Sequence, residues 1–212
     1  MKNNIKDLLI EDVSLDCNCN WCKESSLKVG EKSNYGAVVI YKIGTSLENG
    51  WFATLSPKTG GDPEKDFTVQ LMTFAHLTHF SQLERYPELA KNYGVAFSKL
   101  CSAVTQIMAD DLPEFKAMEE LNDQATSVAT YGKSTNWKEK KEHFHIKIFP
   151  FKRDIGQPYT VDSSFGRKEV FKDENGNEFI KMNPVKKVMI NKERFDKLCE
   201  KFISLLNLHQ RV

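Results

Sequence analysis

One stretch constrains the fold more than any other. Between Pro87 and about Ala109, apolar side chains recur at helical spacing: Leu89, Tyr93, Ala96, Phe97, Leu100, Val104 and Met108. A period of 3.6 residues puts them on one stripe of a long amphipathic helix. Pro87 suits its first turn, where a missing N–H leaves no gap in the hydrogen bonding. Runs that read as strands lie on both sides of this helix. Tyr35–Ile43, Trp51–Leu55 and Phe67–Phe74 precede it; Ser127–Tyr131, His143–Phe151 and Val185–Ile190 follow. Val170–Lys181 reads as a hairpin turning at Glu174-Asn175-Gly176-Asn177, where Asn-Gly permits positive φ. A last amphipathic helix begins after a capping Asn191 and carries Phe195, Leu198, Phe202, Leu205 and Leu206. Shorter helices are expected near Ile5–Ile10 and over Pro113–Leu121. Strands that cluster instead of alternating with helices predict an α+β fold: a largely antiparallel sheet, one long helix packed on it, and a C-terminal hairpin and helix.

Composition narrows the function classes. Of 212 residues, 30 are basic and 29 acidic, so the net charge of +1 excludes a protein that holds nucleic acid by bulk charge. A hydrophobic content of 40% is enough for a packed core and excludes global disorder. No run approaches the roughly 18 apolar residues of a membrane span. The N-terminal MKNNIKDLLIEDVSLD carries acids where a secretory signal needs an apolar stretch. The expectation is a soluble, cytoplasmic protein.

The five cysteines are Cys17, Cys19, Cys22, Cys101 and Cys199. An odd number, with three crowded into the segment from Cys17 to Cys22, is poor material for a disulfide framework and suits a reducing compartment. Cys101 and Cys199 fall in apolar helical stretches and read as small buried hydrophobes. Cys19 and Cys22 form a C-x-x-C pair, a spacing at which two thiolates can share one tetrahedral metal. No second such pair exists, so two further ligands would have to be histidines.

The chemistry concentrates in His143-Phe144-His145-Ile146-Lys147-Ile148-Phe149-Pro150. Side chains alternate along a strand, so His143, His145 and Lys147 share one face and Phe144, Ile146 and Ile148 the other. The apolar face is expected to be buried and the nitrogen-bearing face open to a cleft. An exposed edge strand with ordinary polar residues is the bland alternative. A neutral imidazole is a competent nucleophile toward phosphorus near neutral pH. Lys147, two positions along, would offset charge on non-bridging oxygens.

This octapeptide resembles the signature of the histidine triad superfamily, H-x-H-x-H followed by apolar residues and often proline. Upstream, Phe67–Leu83 (FTVQLMTFAHLTHFSQL) is similar to that superfamily's strand, histidine and short helix. The resemblance covers roughly residues 15–155. It implies a domain over 1–155 with an N-terminal metal-binding loop, followed by a hairpin and helix extension over 156–212 packed on the same domain. Lys147 stands where the third histidine is usual; the galactose-1-phosphate uridylyltransferase branch, with H-P-H-x-Q, varies there as well.

The resemblance implies that His145 takes up a nucleotidyl group and that Lys147 assists it. The first histidine of the uridylyltransferase-like branch is a metal ligand. By that correspondence Cys19, Cys22, His76 and His143 would hold a structural zinc, with Cys17 and His79 as alternatives to Cys19 and His76. Ser134, Thr135 and Asn136 are candidates for phosphate or ribose contacts. The implied reaction is hydrolysis or nucleotidyl transfer on a nucleoside phosphate or dinucleotide. Two further readings stand beside it: a nucleotide- or RNA-binding module without turnover, and a protein in which every histidine and cysteine serves metal alone. Small members of the superfamily dimerise through the long helix, a surface the C-terminal extension here would compete for. The locally basic run around Lys138, Lys140 and Lys141 reads as a solvated face or as an approach for phosphorylated ligands. Trp137 and Phe151 are candidates to stack a base, but nucleic acid is not the favoured partner.

Overall fold

The computed structural model describes residues 13–111, 126–131, 142–150, 165–184 and 187–207. The helices expected near Ile5–Ile10 and over Pro113–Leu121 lie outside these residues. In chain order the elements are α1 (Asn20–Glu24), β1 (Val38–Ile43), β2 (Trp51–Leu55), β3 (Lys58–Thr59) and β4 (Val69–Thr73). A 3₁₀ turn (Phe80–Arg85), α2 (Pro87–Asp111), β5 (Thr126–Tyr131) and β6 (His145–Pro150) follow. The chain continues with β7 (Phe165–Lys172), β8 (Glu178–Pro184), β9 (Val188–Met189) and α3 (Lys192–Asn207). The architecture is α+β.

Five strands form one sheet in the order β1-β2-β4-β6-β5, and every pairing is antiparallel. β6 therefore lies between β4 and β5 with partners on both sides, which excludes the exposed-edge alternative. Pro150, which cannot donate to a ladder, is its last residue. β1 begins three residues later than the apolar run predicts, because Gly36 adopts φ +87° in a turn whose N–H donates to the Ser33 carbonyl. β7 and β8 form the expected hairpin, with Gly176 at φ +81° and the Asp173 carboxylate accepting from the Asn175 and Asn177 amides.

One sheet face packs against α2 and α3. Trp51, Ala53, Leu55, Val69, Leu71, Phe144, Ile146 and Ile148 meet Leu89, Ala96, Leu100, Val104 and Met108 of α2 and Phe195, Leu198, Phe202 and Leu206 of α3 in a single apolar cluster. The Trp51 indole N–H donates to the Leu89 carbonyl at 2.8 Å, pinning the first turn of α2 to β2. Asn191 caps α3 by accepting from the Glu193 amide at 2.9 Å. Cys199 is buried as expected; Cys101 is only half-buried at the rim of the cluster. Among the described residues no helix is long and apolar enough to cross a membrane.

The two helices are also joined by charge. Asp111, at the end of α2, accepts from Arg194 at 3.0 Å and from Lys201 at 3.0 Å. Burial alone would raise its carboxyl, but the hydrogen bonds and charges of Lys201 and Arg194 hold it below the usual carboxylate range. A depressed folded-state pKa contributes stability that is present above the unfolded value, about 3.9, and is lost as pH falls through the folded value. Asp111→Asn is expected to lower stability by about 1–2 kcal/mol at pH 7, since the bridges are partly solvated. In urea titrations the gap from wild type should close as the pH is taken below that range.

Candidate metal centre and the adjoining histidine strand

The second face of the sheet carries Phe52, Thr54, Met72, His145, Lys147 and Phe149, and all six are buried. The expectation of an open cleft is thus corrected: His145 is 5% and Lys147 6% exposed. Part of the cover over His145 is Trp21 of α1, whose ring centroid lies 4.4 Å from that of the imidazole. Across the sheet His145 pairs with Met72 and Tyr131, and Lys147 pairs with Gln70 and Ala129.

At the end of β4 the chain brings four ligand-bearing side chains to one point. Cys19 is the N-cap of α1 and Cys22 lies within its single turn. His76 follows β4, and its amide donates to the Ser14 carbonyl at 2.7 Å, which fastens the segment before the C-x-x-C to the segment after the strand. His143 lies two residues before the start of β6, and the amide of the intervening Phe144 donates to the Leu77 carbonyl. The sulfur and nitrogen atoms of Cys19, Cys22, His76 and His143 all lie within 4.8 Å of one another. Cys17, exposed, and His79, which caps the 3₁₀ turn and pairs with Ser81, stand outside the cluster.

These distances fit a tetrahedral ion. Zn–S of about 2.3 Å and Zn–N of about 2.0–2.1 Å at the tetrahedral angle place S and N about 3.6 Å apart. The observed separations are 3.6 Å for Cys19 Sγ–His143 Nδ1, 3.5 Å for Cys22 Sγ–His143 Nδ1 and 3.4 Å for Cys22 Sγ–His76 Nδ1.

The hydrogen bonds fix the tautomer of His143. Its Nε2 lies 3.1 Å from the Thr73 carbonyl and 3.2 Å from Thr73 Oγ1. The hydroxyl donates its own proton to the Ala75 carbonyl at 2.7 Å. Both neighbours of Nε2 therefore accept, Nε2 carries the proton, and the Nδ1 lone pair faces the two sulfurs. Such an outer partner orients a ligating imidazole and raises its basicity. Burial, with the charge of neighbouring His76, takes the metal-free His143 down to about 3, so the ring is neutral. Burial pushes the Cys22 thiol up to about 12 without an ion. A divalent cation reverses that preference by stabilising the thiolate.

His145 is held the opposite way round. Its Nδ1 donates to the His143 carbonyl at 3.1 Å, which places the lone pair on Nε2. Burial lowers its pKa to about 4, with Lys147 and Lys187 adding repulsion and the His143 carbonyl and Glu142 opposing it. Lys147 is brought to about 8, first by burial and then by Lys187. One neutral imidazole and two nearby ammonium groups make a local field that favours an anion.

Ser134, Thr135, Asn136, Trp137 and Phe151 lie outside the described residues. Residues that the sequence reading missed are Trp21, Thr54 and Gln70. The last two are visible in hindsight as the polar alternates of WFATL and VQLMT, placed in register beside Lys147. Compared with family models, curated proteins and solved structures, the chain matches none.

Proposed function

We propose that the chain is a histidine-triad-like nucleotide hydrolase or nucleotidyltransferase in which a structural zinc site stands beside a nucleophilic histidine. The single observation that carries this reading is the opposed orientation of two imidazoles one strand-step apart. His143 turns Nδ1 toward the cysteines, and His145 keeps Nδ1–H on a backbone carbonyl and its lone pair on Nε2. Cys19, Cys22, His76 and His143 would hold the ion, which cross-links α1 to the sheet; four protein ligands close the site, so its role is structural.

In the proposed reaction Nε2 of His145 attacks the phosphorus of a nucleoside phosphate or dinucleotide. An N–P bond forms, the P–O bond to the leaving phosphate breaks, and the leaving group departs with the electron pair. Water, whose proton passes to solvent, or a second phosphate then attacks phosphorus; the N–P bond breaks and its electron pair returns to Nε2. Lys147 offsets the charge that develops on the non-bridging oxygens. Because His145 is 5% exposed, the encounter includes an opening step before chemistry.

The near-complete burial of His145 and Lys147 favours a second reading, a zinc-stabilised protein without turnover. Rapid-quench kinetics on a panel of dinucleotides and nucleoside diphosphates separates the two. A burst equal to the enzyme concentration supports the enzyme. No product and no burst across the panel leaves the zinc-stabilised protein.

A further inference from the structure

We propose that Trp21 is a positioning residue: the C-x-x-C turn presses its indole against the His145 ring, so metal loading sets the orientation of that imidazole. The inference deepens the function proposed above and rests on it for its kinetic consequence, but not for its structural one.

The geometry carries it. Trp21 sits between Cys19 and Cys22, in a helix of one turn whose Lys23 amide donates to Cys19 and whose Ser25 amide donates to the Trp21 carbonyl. Two of its near neighbours in sequence are therefore ligands of the candidate ion. Its indole contacts both histidines, approaching His143 edge-on at 6.0 Å and 79° and lying over His145 at 4.4 Å and 42°. The His143 carbonyl holds Nδ1 of the His145 ring at 3.1 Å. The indole, with ring centroids 4.4 Å apart and planes tilted by 42°, packs against the same ring, limits its rotation about Cβ–Cγ and so helps set the direction of the Nε2 lone pair. A helix of five residues has little stability of its own. Its place over the sheet depends on what ties it there: Lys42 holds the Ser25 and Leu27 carbonyls after it, the His76 amide holds the Ser14 carbonyl before it, and the four-ligand cluster fastens the two residues that flank Trp21 most closely.

The test uses the full-length chain with zinc, and reads the His145 ring carbons and protons by NMR alongside kinetics. In the wild type the indole, tilted by 42° over the imidazole, should hold the His145 ring protons upfield of a histidine with no aromatic neighbour. Trp21→Ala should move them back downfield while one zinc per chain is retained, and Trp21→Phe should restore most of the displacement. Removing zinc from the wild type with a chelator should produce the same downfield movement. With a substrate that the wild type turns over, Trp21→Ala should lower kcat by roughly 100-fold with KM little changed, and Trp21→Phe should recover most of it. Identical ring shifts in wild type and Trp21→Ala overturn the proposal, and so does an unchanged kcat in zinc-loaded Trp21→Ala. A wild type that turns over nothing removes the enzyme reading; the zinc dependence of the wild-type ring shifts then decides whether metal loading sets the packing of Trp21 on His145, and shifts that do not move with the chelator overturn it.

Discussion

Cys22→Ser is expected to bind zinc on the order of 100-fold more weakly than the wild type, or worse, and to lose most of the stability that the ion supplies. Serine keeps the size of the side chain but not the soft, readily ionised sulfur that zinc selects. An ion present at about 1,000 times its dissociation constant adds about 4 kcal/mol to the folded state, so a substitution that abolishes binding should remove about that much. Cys17→Ser should leave both quantities unchanged, since Cys17 is exposed and outside the cluster. The pH dependence has a definite sign. In the metal-free chain burial keeps Cys22 protonated, at about 12, so loading near neutral pH must release protons. Affinity should therefore weaken as pH falls. Zinc titration in weakly buffered solution, with a pH indicator, reads the release directly.

His145→Ala is expected to abolish turnover, by on the order of 10⁴- to 10⁶-fold, while the zinc content stays at the wild-type level. Removing the group that forms the covalent bond leaves only what binding and charge stabilisation supply. Lys147→Ala should lose less, about 10²- to 10³-fold, as is usual for one donor to developing phosphate charge. The contrast with Cys22→Ser is what matters: one substitution should remove chemistry and spare the metal, and the other should remove the metal first.

The sequence made the helix-packed half of the molecule legible, because that half obeys simple periods. Leu89, Ala96, Leu100 and Val104 recur at helical spacing, and Phe144, Ile146 and Ile148 alternate along β6 as the burial of one sheet face requires. The candidate metal cluster was legible in two steps: a lone C-x-x-C needs two more ligands, and the resemblance to the histidine triad superfamily pointed to His76 and His143, which the fold brings beside Cys19 and Cys22. The burial of the second sheet face was not legible. The alternating His145 and Lys147 read as facing an open cleft, and only tertiary contacts such as Trp21 over His145 overturn that reading. The pairing of β3 with β9 was hidden for a related reason: Lys58–Thr59 and Val188–Met189 are two residues each, too short to show a period, and meet across more than half the chain. Cys101 was expected deeper than it lies, because its place on α2 falls at the edge of the apolar stripe.

The division of labour between His143 and His145 is tested most directly by mapping a trapped adduct. Zinc-loaded chain is mixed with a dinucleotide, quenched in alkali to preserve a phosphoramidate, digested and read by mass spectrometry. The expected result is a nucleoside monophosphate on the peptide that contains His145, located to that ring by fragmentation and released by mild acid. An adduct on any other residue, or zinc lost from His145→Asn as completely as from Cys22→Ser, would contradict it.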